Sequence, residues 1–196
     1  MLNRLAGAVG FAVASPVLLV VAVIIRLTDG LPTLFKQERA GLGGVPFGVI
    51  KFRTMRAPRS PKESDEDRIT RIGRILRASS LDELPSLWNL VRGEMNLVGP
   101  RPLPTAYTPL YSPEQARRLE VKPGLTGLLQ VRGRNALSWE EKFALDTWYV
   151  QHRSWRLDFR ILLETPGAII RARGISHPGH VTMPVFTGSE GRHDAP

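Results

Sequence analysis

The chain has 196 residues, with 27 lysines and arginines against 18 aspartates and glutamates, a formal charge of +9 and no cysteine; that length supports one modest domain with an appended segment rather than two independent cores. The absence of cysteine excludes disulfide scaffolding, thiolate catalysis and Cys-ligated zinc, and His152, His177, His180 and His193 form no HExxH or other metal-ligand spacing. The charge favours an anionic partner, a description that nucleic acid, acidic lipid and phosphorylated small molecules all meet.

From Leu5 to Ile25, "LAGAVGFAVASPVLLVVAVII" is a run of twenty-one residues without a charge. As a helix it is about 30 Å long, enough to cross a bilayer core. A cleaved signal peptide is the poorer reading, because the run is long for a signal and Arg26 stands where a small-residue cleavage site belongs. Ser15-Pro16 falls near its midpoint, where proline removes one helical hydrogen bond and the Ser15 hydroxyl can partly satisfy the freed carbonyls. A bend is expected there. Arg4 and Arg26 put positive charge at both ends, against the charge asymmetry of a simple crossing. A spanning helix and a re-entrant one, broken at Ser15-Pro16, both stay open on the residues alone.

In "GGVPFGVIKFRTM" the pairs Phe47/Val49 and Ile50/Phe52 alternate out of phase, as in a strand pair or a strand with a bulge. "PRSPKESDED", residues 58 to 67, reads as a polar loop. "RITRIGRILRA" follows, with Ile69, Ile72, Ile75 and Leu76 at helical spacing between Arg68, Arg71, Arg74 and Arg77. It is either an interfacial helix on an anionic membrane or a packed helix with a solvated face; an adjacent apolar anchor favours the first. Ser112 with Pro113 and Gln115, and Ser138 with Glu141, are helix starts, and a last helix is expected through "RLDFRILLETPGAIIRA" with an interruption near Pro166-Gly167. "KPGLTGLLQVRGRN" is a candidate phosphate loop or a plain connector.

The chemistry concentrates in "SSLDELPSLWNLVRGEMNLVGPRP", residues 79 to 102. Taking Asp82 as N-cap puts Pro85 at N3, where its missing N–H costs nothing, and sets Asp82 and Glu83 at the positive end of a short helix through Leu84, Leu87, Trp88 and Val91. An ionised carboxylate beside a phosphate needs its repulsion offset, which Arg77, Lys51, Arg53, Arg101 or Arg134 could do from separate segments, while a divalent cation on Glu83 bridges to phosphate oxygens. The chemistry implied is attack of Asp82 on phosphorus. The bland alternative makes Asp82 a cap and Glu83 a salt-bridge partner.

Taken together, the Ser-Pro-interrupted helix, "FKQERAGLGG", "FGVIKFRTM", "RIGRILRASSLDELPSLWNLVRGEMNLVGPRP", "VKPGLTGLLQVRGRN", "SWEEKFALDTWYV" and "LDFRILLETP" resemble the bacterial sugar transferase family, the monotopic phosphoglycosyl transferases. The short chain and the tail "ISHPGHVTMPVFTGSE" are most similar to the small members that transfer diacetylbacillosamine-1-phosphate. The resemblance implies a mostly helical α/β fold: a re-entrant membrane helix over residues 1–27, amphipathic interfacial helices, and a small catalytic domain over 28–196 on the cytoplasmic face of the bacterial inner membrane. It also implies transfer of a sugar-1-phosphate from a UDP-sugar to undecaprenyl phosphate with release of UMP. Asp82 then takes the role of nucleophile, forming a covalent phospho-sugar intermediate, and Glu83 that of magnesium ligand. Arg77, Lys51 and Arg134 match family positions, Arg134 as a phosphate contact, and Asp158 supports the site or assists the acceptor's attack. The partners so implied are the UDP-sugar, undecaprenyl phosphate and the lipid bilayer, with no nucleic acid; homo-oligomerisation is left open. One departure stands out: the family opens with a basic pair and an aspartate, and this chain has Asn3, Arg4 and Gly7. Two other readings compete, a basic peripheral membrane protein without catalysis and a magnesium-dependent nucleotide-sugar hydrolase.

Overall fold

The computed structural model describes residues 1–60, 63–133, 137–170 and 185–188. Arg134 and most of the tail, including "SHPGHVT", lie outside the described residues. The fold is mostly helical, with one long apolar helix and a small domain, as expected. Helix α1 runs Leu2–Thr28 and is long and apolar enough to cross a membrane. It continues through Pro16. The carbonyl that Pro16 leaves without an N–H partner is that of Ala12, and the Ser15 hydroxyl donates to it at 2.7 Å, which is why no break in the helix follows.

This helix lies along the domain. Short helix α4, Leu87–Arg92, packs beneath its first half: a Cβ on Gly7 would stand 2.7 Å from the Cβ of Leu90, and Phe11 meets Trp88 with ring centroids 5.5 Å apart. Its second half buries Val21 and Ile25 against Phe52 and Leu76. Both ends are tied down. Asn3 donates to the Asn96 side chain at 3.0 Å and accepts from the Leu97 N–H at 3.1 Å, while the Arg53 guanidinium binds the carbonyls of Asp29, Gly30 and Leu31 just past the other end. The glycine at 7 thus allows close packing, and the Asn3 carboxamide supplies the clasp.

Strands β1, Leu34–Ala40, and β2, Pro46–Phe52, form an antiparallel hairpin in regular register, without a bulge. The two alternations seen in the sequence serve two sides: Val49 packs with Leu90 and Met95, whereas Phe52 packs with α1. After Glu63 of the polar loop pairs with Arg56, Ser64 caps α2, Asp65–Arg68, and Thr70 caps α3, Arg71–Ser79. In α3, Gly73 and Leu76 are buried, whereas Arg71, Arg74 and Ile75 are exposed.

Strand β3, Asn96–Val98, pairs in parallel with β4, Gly124–Thr126. Between them come a 3-10 turn, Thr105–Leu110, and α5, Pro113–Ala116; after them come α6, Leu128–Arg132, α7, Trp139–His152, and α8, Trp155–Ile170. Ser112 with Gln115 and Ser138 with Glu141 both form complete capping boxes, as their spacing requires. The expected interruption at Pro166-Gly167 is absent, α8 running on to Ile170.

Candidate active site

A left-handed residue sets the geometry of the carboxylate pair. Ser80, at φ 58°, ends α3 and starts a 3-10 helix over Leu81–Ser86, so Asp82 and Glu83 occupy its first turn rather than a cap. The N-cap role expected of Asp82 is therefore corrected: the turn at Ser80 replaces it, and Pro85 sits inside the 3-10 helix. This reversal sets Arg77, in the last turn of α3, against Asp82.

Strand β2 is then locked to the same segment. Pairing with β1 leaves the other edge of β2 open, and side chains close it: Ser86 Oγ donates to the Ile50 carbonyl at 2.7 Å, the Ile50 N–H donates to Asn89 Oδ1 at 3.2 Å, and Asn89 Nδ2 donates to the Gly48 carbonyl at 2.8 Å. Asn89 is fully buried, so these bonds have no solvent competitor. The lock brings Lys51 Nζ to 2.6 Å from Glu83 Oε1, and Arg101 Nη2 reaches the same oxygen at 2.9 Å.

The two neighbouring acids are thereby driven apart. Burial alone raises the Glu83 carboxyl, but Arg101 and Lys51 outweigh it and hold the group far below the usual carboxylate range. Asp82 is pushed up to about 6, first by burial and then by the adjacent Glu83, with Lys51, Arg101 and Arg77 pulling it back. Its carboxylate accepts no hydrogen bond from a described residue, which leaves both oxygens available. Burial lowers Lys51 and Arg77, and Arg77 is steered by an Nε bond to Thr54 Oγ1 at 2.9 Å.

Two further cations, which the sequence reading had not singled out, stand in the field of Arg101. Arg39, on β1, is lowered to about 10 by burial and by Arg101, and remains charged. Lys142, on α7, is lowered to about 8 by burial and by Arg101. Arg101 is itself held from behind, since Arg118 Nη2 donates to its carbonyl at 2.6 Å and to Asp146 Oδ2 at the same distance, in an ion pair almost wholly shielded from solvent. Four cations, Arg39, Lys51, Arg77 and Arg101, thus act on the two carboxylates, while Lys142 stands in the fields of Arg101 and Asp146 and the Arg118–Asp146 pair adds no net charge. The four exceed the two carboxylates by two positive charges, which have no counterpart among the described residues. A buried Asp in an apolar helix face, Asp146 between Phe143 and Val150, was the one sequence signal for that support.

Not every expected residue joins the site. Arg53 is next but one to Lys51, yet it lies beyond the end of β2 and spends its guanidinium on the carbonyls after α1. Asp158 accepts from the Tyr149 hydroxyl at 2.7 Å and lines a separate cavity of about 270 Å³ with Lys122, Arg153 and Trp155. The glycines of the candidate phosphate loop serve another purpose: a Cβ on Gly124 or Gly127 would fall 2.1 Å from the backbone of Gly99, so they permit two main chains to touch.

No three acidic or histidine side chains converge as a metal cage among the described residues. Magnesium does not require one, being held by one or two carboxylates together with substrate phosphates. Glu83 Oε2 and the Asp82 oxygens are hard donors with no hydrogen bond from a described residue and fit that mode, since Lys51 and Arg101 both take Oε1.

An apolar helix laid along a small domain, with a half-buried carboxylate pair among cations, defines a membrane-anchored protein with a cationic site. Residues 1–172 match the family described as bacterial sugar transferase, and the chain belongs to that family. It is 50% identical over 178 residues to the uncharacterized sugar transferase EpsL of Bacillus subtilis, covering 89% of this chain and 88% of that one. It is 43% identical over 183 residues to the UDP-glucose:undecaprenyl-phosphate glucose-1-phosphate transferase of Caulobacter vibrioides, covering 87% and 68%. With the undecaprenyl-phosphate galactose phosphotransferase of Salmonella typhimurium it shares 36% identity over 166 residues, 74% of this chain and 35% of the relative.

Proposed function

We propose that this protein transfers a sugar-1-phosphate from a UDP-sugar to undecaprenyl phosphate, in two displacements at Asp82. In the first, an Asp82 oxygen bonds to the β-phosphorus of the donor while the bond to the bridging oxygen breaks and UMP leaves. In the second, an oxygen of the lipid phosphate bonds to that phosphorus and Asp82 departs. The observation carrying this reading is the excess of two part-buried cations around a carboxylate pair in which Asp82 accepts no hydrogen bond from a described residue. Uncompensated charge in a partly desolvated site is unfavourable, and a diphosphate supplies the missing negative charge. The names of the Caulobacter and Salmonella relatives support the same substrate classes.

Glu83 and Asp82 would hold magnesium, which supplies charge neutralisation across the phosphates. Arg77 stands beside Asp82 and meets the attacked phosphoryl group, while Lys51 and Arg101 keep Glu83 ionised. Arg134 contacts phosphate from the segment following α6, and Asp158 supports the acceptor's approach from the neighbouring cavity.

The anchor is read as entering and leaving by one membrane face over residues 1–27, as an unbroken helix rather than one broken at Ser15-Pro16, with the domain of residues 28–196 on the cytoplasmic face of the inner membrane. Two features favour this path. Both ends of α1 are bonded to one body, by Asn3 and by the carbonyls that Arg53 holds, and both ends carry arginine, Arg4 and Arg26. The donor sugar is read as an N-acetylated hexosamine derivative such as diacetylbacillosamine, with glucose and galactose, named for the relatives, as competitors.

The test is a panel of UDP-sugars incubated with undecaprenyl phosphate and magnesium, with UMP as the readout. Turnover should require both the lipid and the metal, cease with EDTA, and fall by roughly three orders of magnitude or more in Asp82→Asn with the fold retained. Release of UMP without lipid would assign a hydrolase instead, and robust activity of D82N would remove Asp82 as nucleophile.

A further inference from the structure

We propose that Arg39 and Lys142 are a second pair of cationic arms, which grip the nucleotide-side phosphate of the donor while Lys51 and Arg101 serve Glu83. This rests on the nucleotide-sugar reading above and adds to it two residues and a direction of approach.

The cations divide by what they already hold. Lys51 and Arg101 both bond to Glu83 Oε1, and Arg77 is steered toward Asp82 by Thr54. Arg39 and Lys142 have no ion pair with a described carboxylate. Arg39 reaches the Pro102 carbonyl at 3.4 Å and the Gln37 side chain, which orient the guanidinium without neutralising it. The Lys142 ammonium makes no hydrogen bond with a described residue. Only 5% of the residue is exposed, and its Nζ lies 4.9 Å over the ring of Trp139. Burying an ammonium with one aromatic face and no acceptor is unfavourable unless another group completes its shell.

Both arms border the Gly99-Pro100-Arg101-Pro102 segment, Arg39 through the Pro102 carbonyl and Lys142 through the charge of Arg101. Arg39 comes from β1, whose last residue, Ala40, bonds to the Leu103 carbonyl at 2.9 Å. Lys142 comes from α7, one turn before Asp146, which holds Arg118 and through it the Arg101 carbonyl.

The side of the molecule selects the ligand. Helix α1 packs on β2, α3 and α4, whereas Lys142 lies beside the aromatic core of Tyr111, Phe143 and Phe186, to which α1 contributes nothing. An acceptor delivered along the anchor reaches Asp82 from the first side. The phosphate met by Arg39 and Lys142 is accordingly that of the water-soluble donor, the part that departs with UMP.

The experiment uses the full chain in detergent, with calorimetric titration of UDP and UMP in magnesium and, in parallel, steady-state rates. Lys142→Met keeps the volume and removes no hydrogen bond, so it should remain folded; Arg39→Met is the second variant, and Lys142→Arg restores the charge. UDP and UMP binding should weaken by about tenfold in each Met variant. The KM for the UDP-sugar should rise in step, with a smaller change in kcat, an unchanged KM for undecaprenyl phosphate, and recovery in K142R. Unchanged UDP binding in K142M, or a rise confined to the KM for undecaprenyl phosphate, overturns the proposal. UDP binding that depends on Lys142 in a wild-type protein unable to release UMP would uphold the arms and sink the transfer reaction; the two are thus separable.

Discussion

Asn89, buried in α4, bonds through its side-chain oxygen to the backbone N–H of Ile50 and through its amide to the carbonyl of Gly48, replacing the third strand that β2 lacks. Lys51 therefore meets Glu83 because a carboxamide on a helix sets the position of a strand edge. Ser86, one turn earlier, completes the lock on the Ile50 carbonyl.

This lock is measurable. Asn89→Ala leaves a buried donor and a buried acceptor unpaired, which costs about 2–4 kcal/mol, whereas Ser86→Ala costs about 1 kcal/mol. Chemical unfolding followed by tryptophan fluorescence should rank the two in that order, and UMP release should fall in Asn89→Ala before the fold is lost, because Lys51 loses its register against Glu83.

The seam between α1 and α4 depends on a missing side chain. With only 2.7 Å between a Cβ at position 7 and that of Leu90, Gly7→Leu must push the helices apart. A destabilisation of about 1–3 kcal/mol is expected from overpacking. The thermal midpoint in detergent should drop for G7L, while a substitution at the exposed Val9 should leave it unchanged.

The Arg118–Asp146 pair separates stability from positioning. Asp146→Asn removes one partner of a buried pair and should cost about 3–5 kcal/mol. Replacing both partners by apolar residues, Arg118→Met with Asp146→Leu, should restore much of the unfolding free energy. Activity should stay low in the double variant, because the Arg101 carbonyl still lacks the guanidinium that held it. Restored UMP release would show that the pair is structural only.

Lys142 carries a pH dependence with a definite sign. Burial and the Arg101 charge on the segment facing it lower the ammonium to about 8, against the opposing pull of Asp146 on its own helix. The arm is therefore charged below that pH and neutral above it. UDP affinity should fall as pH rises from about 7 to about 9, a window in which a phosphate monoester, with its second pKa near 6, has already titrated. Titration calorimetry should find this fall in the wild type, and a flat profile in Lys142→Arg over the same window.

Several features were legible in the chain alone because they arise within a few residues. The apolar run and its Ser-Pro step, the capping boxes at Ser112 and Ser138, and the adjacent acids at Asp82 and Glu83 need only helical spacing or contiguity to be recognised. Local pattern also misled. Arg53 counted with Lys51 among the cations that could offset a phosphate, but the strand ends at Phe52 and the guanidinium turns to the carbonyls after α1. Asp82 looked like a cap because that role puts Pro85 at N3, whereas a left-handed Ser80 starts a 3-10 helix instead, and Pro166 looked like an interruption although α8 continues through it.

Composition and short-range pattern determined that this chain has an apolar anchor, a small basic domain and a pair of neighbouring carboxylates. Tertiary structure alone decided which cations face that pair. Lys51, Arg77 and Arg101 come from three separate segments, a strand, a helix end and a turn, and a long flexible side chain takes its direction from the packing around it rather than from its neighbours in the chain. The same packing strips water from the carboxylates, so their unequal acidities, and the positive charge left over for a ligand, exist only once the domain is folded.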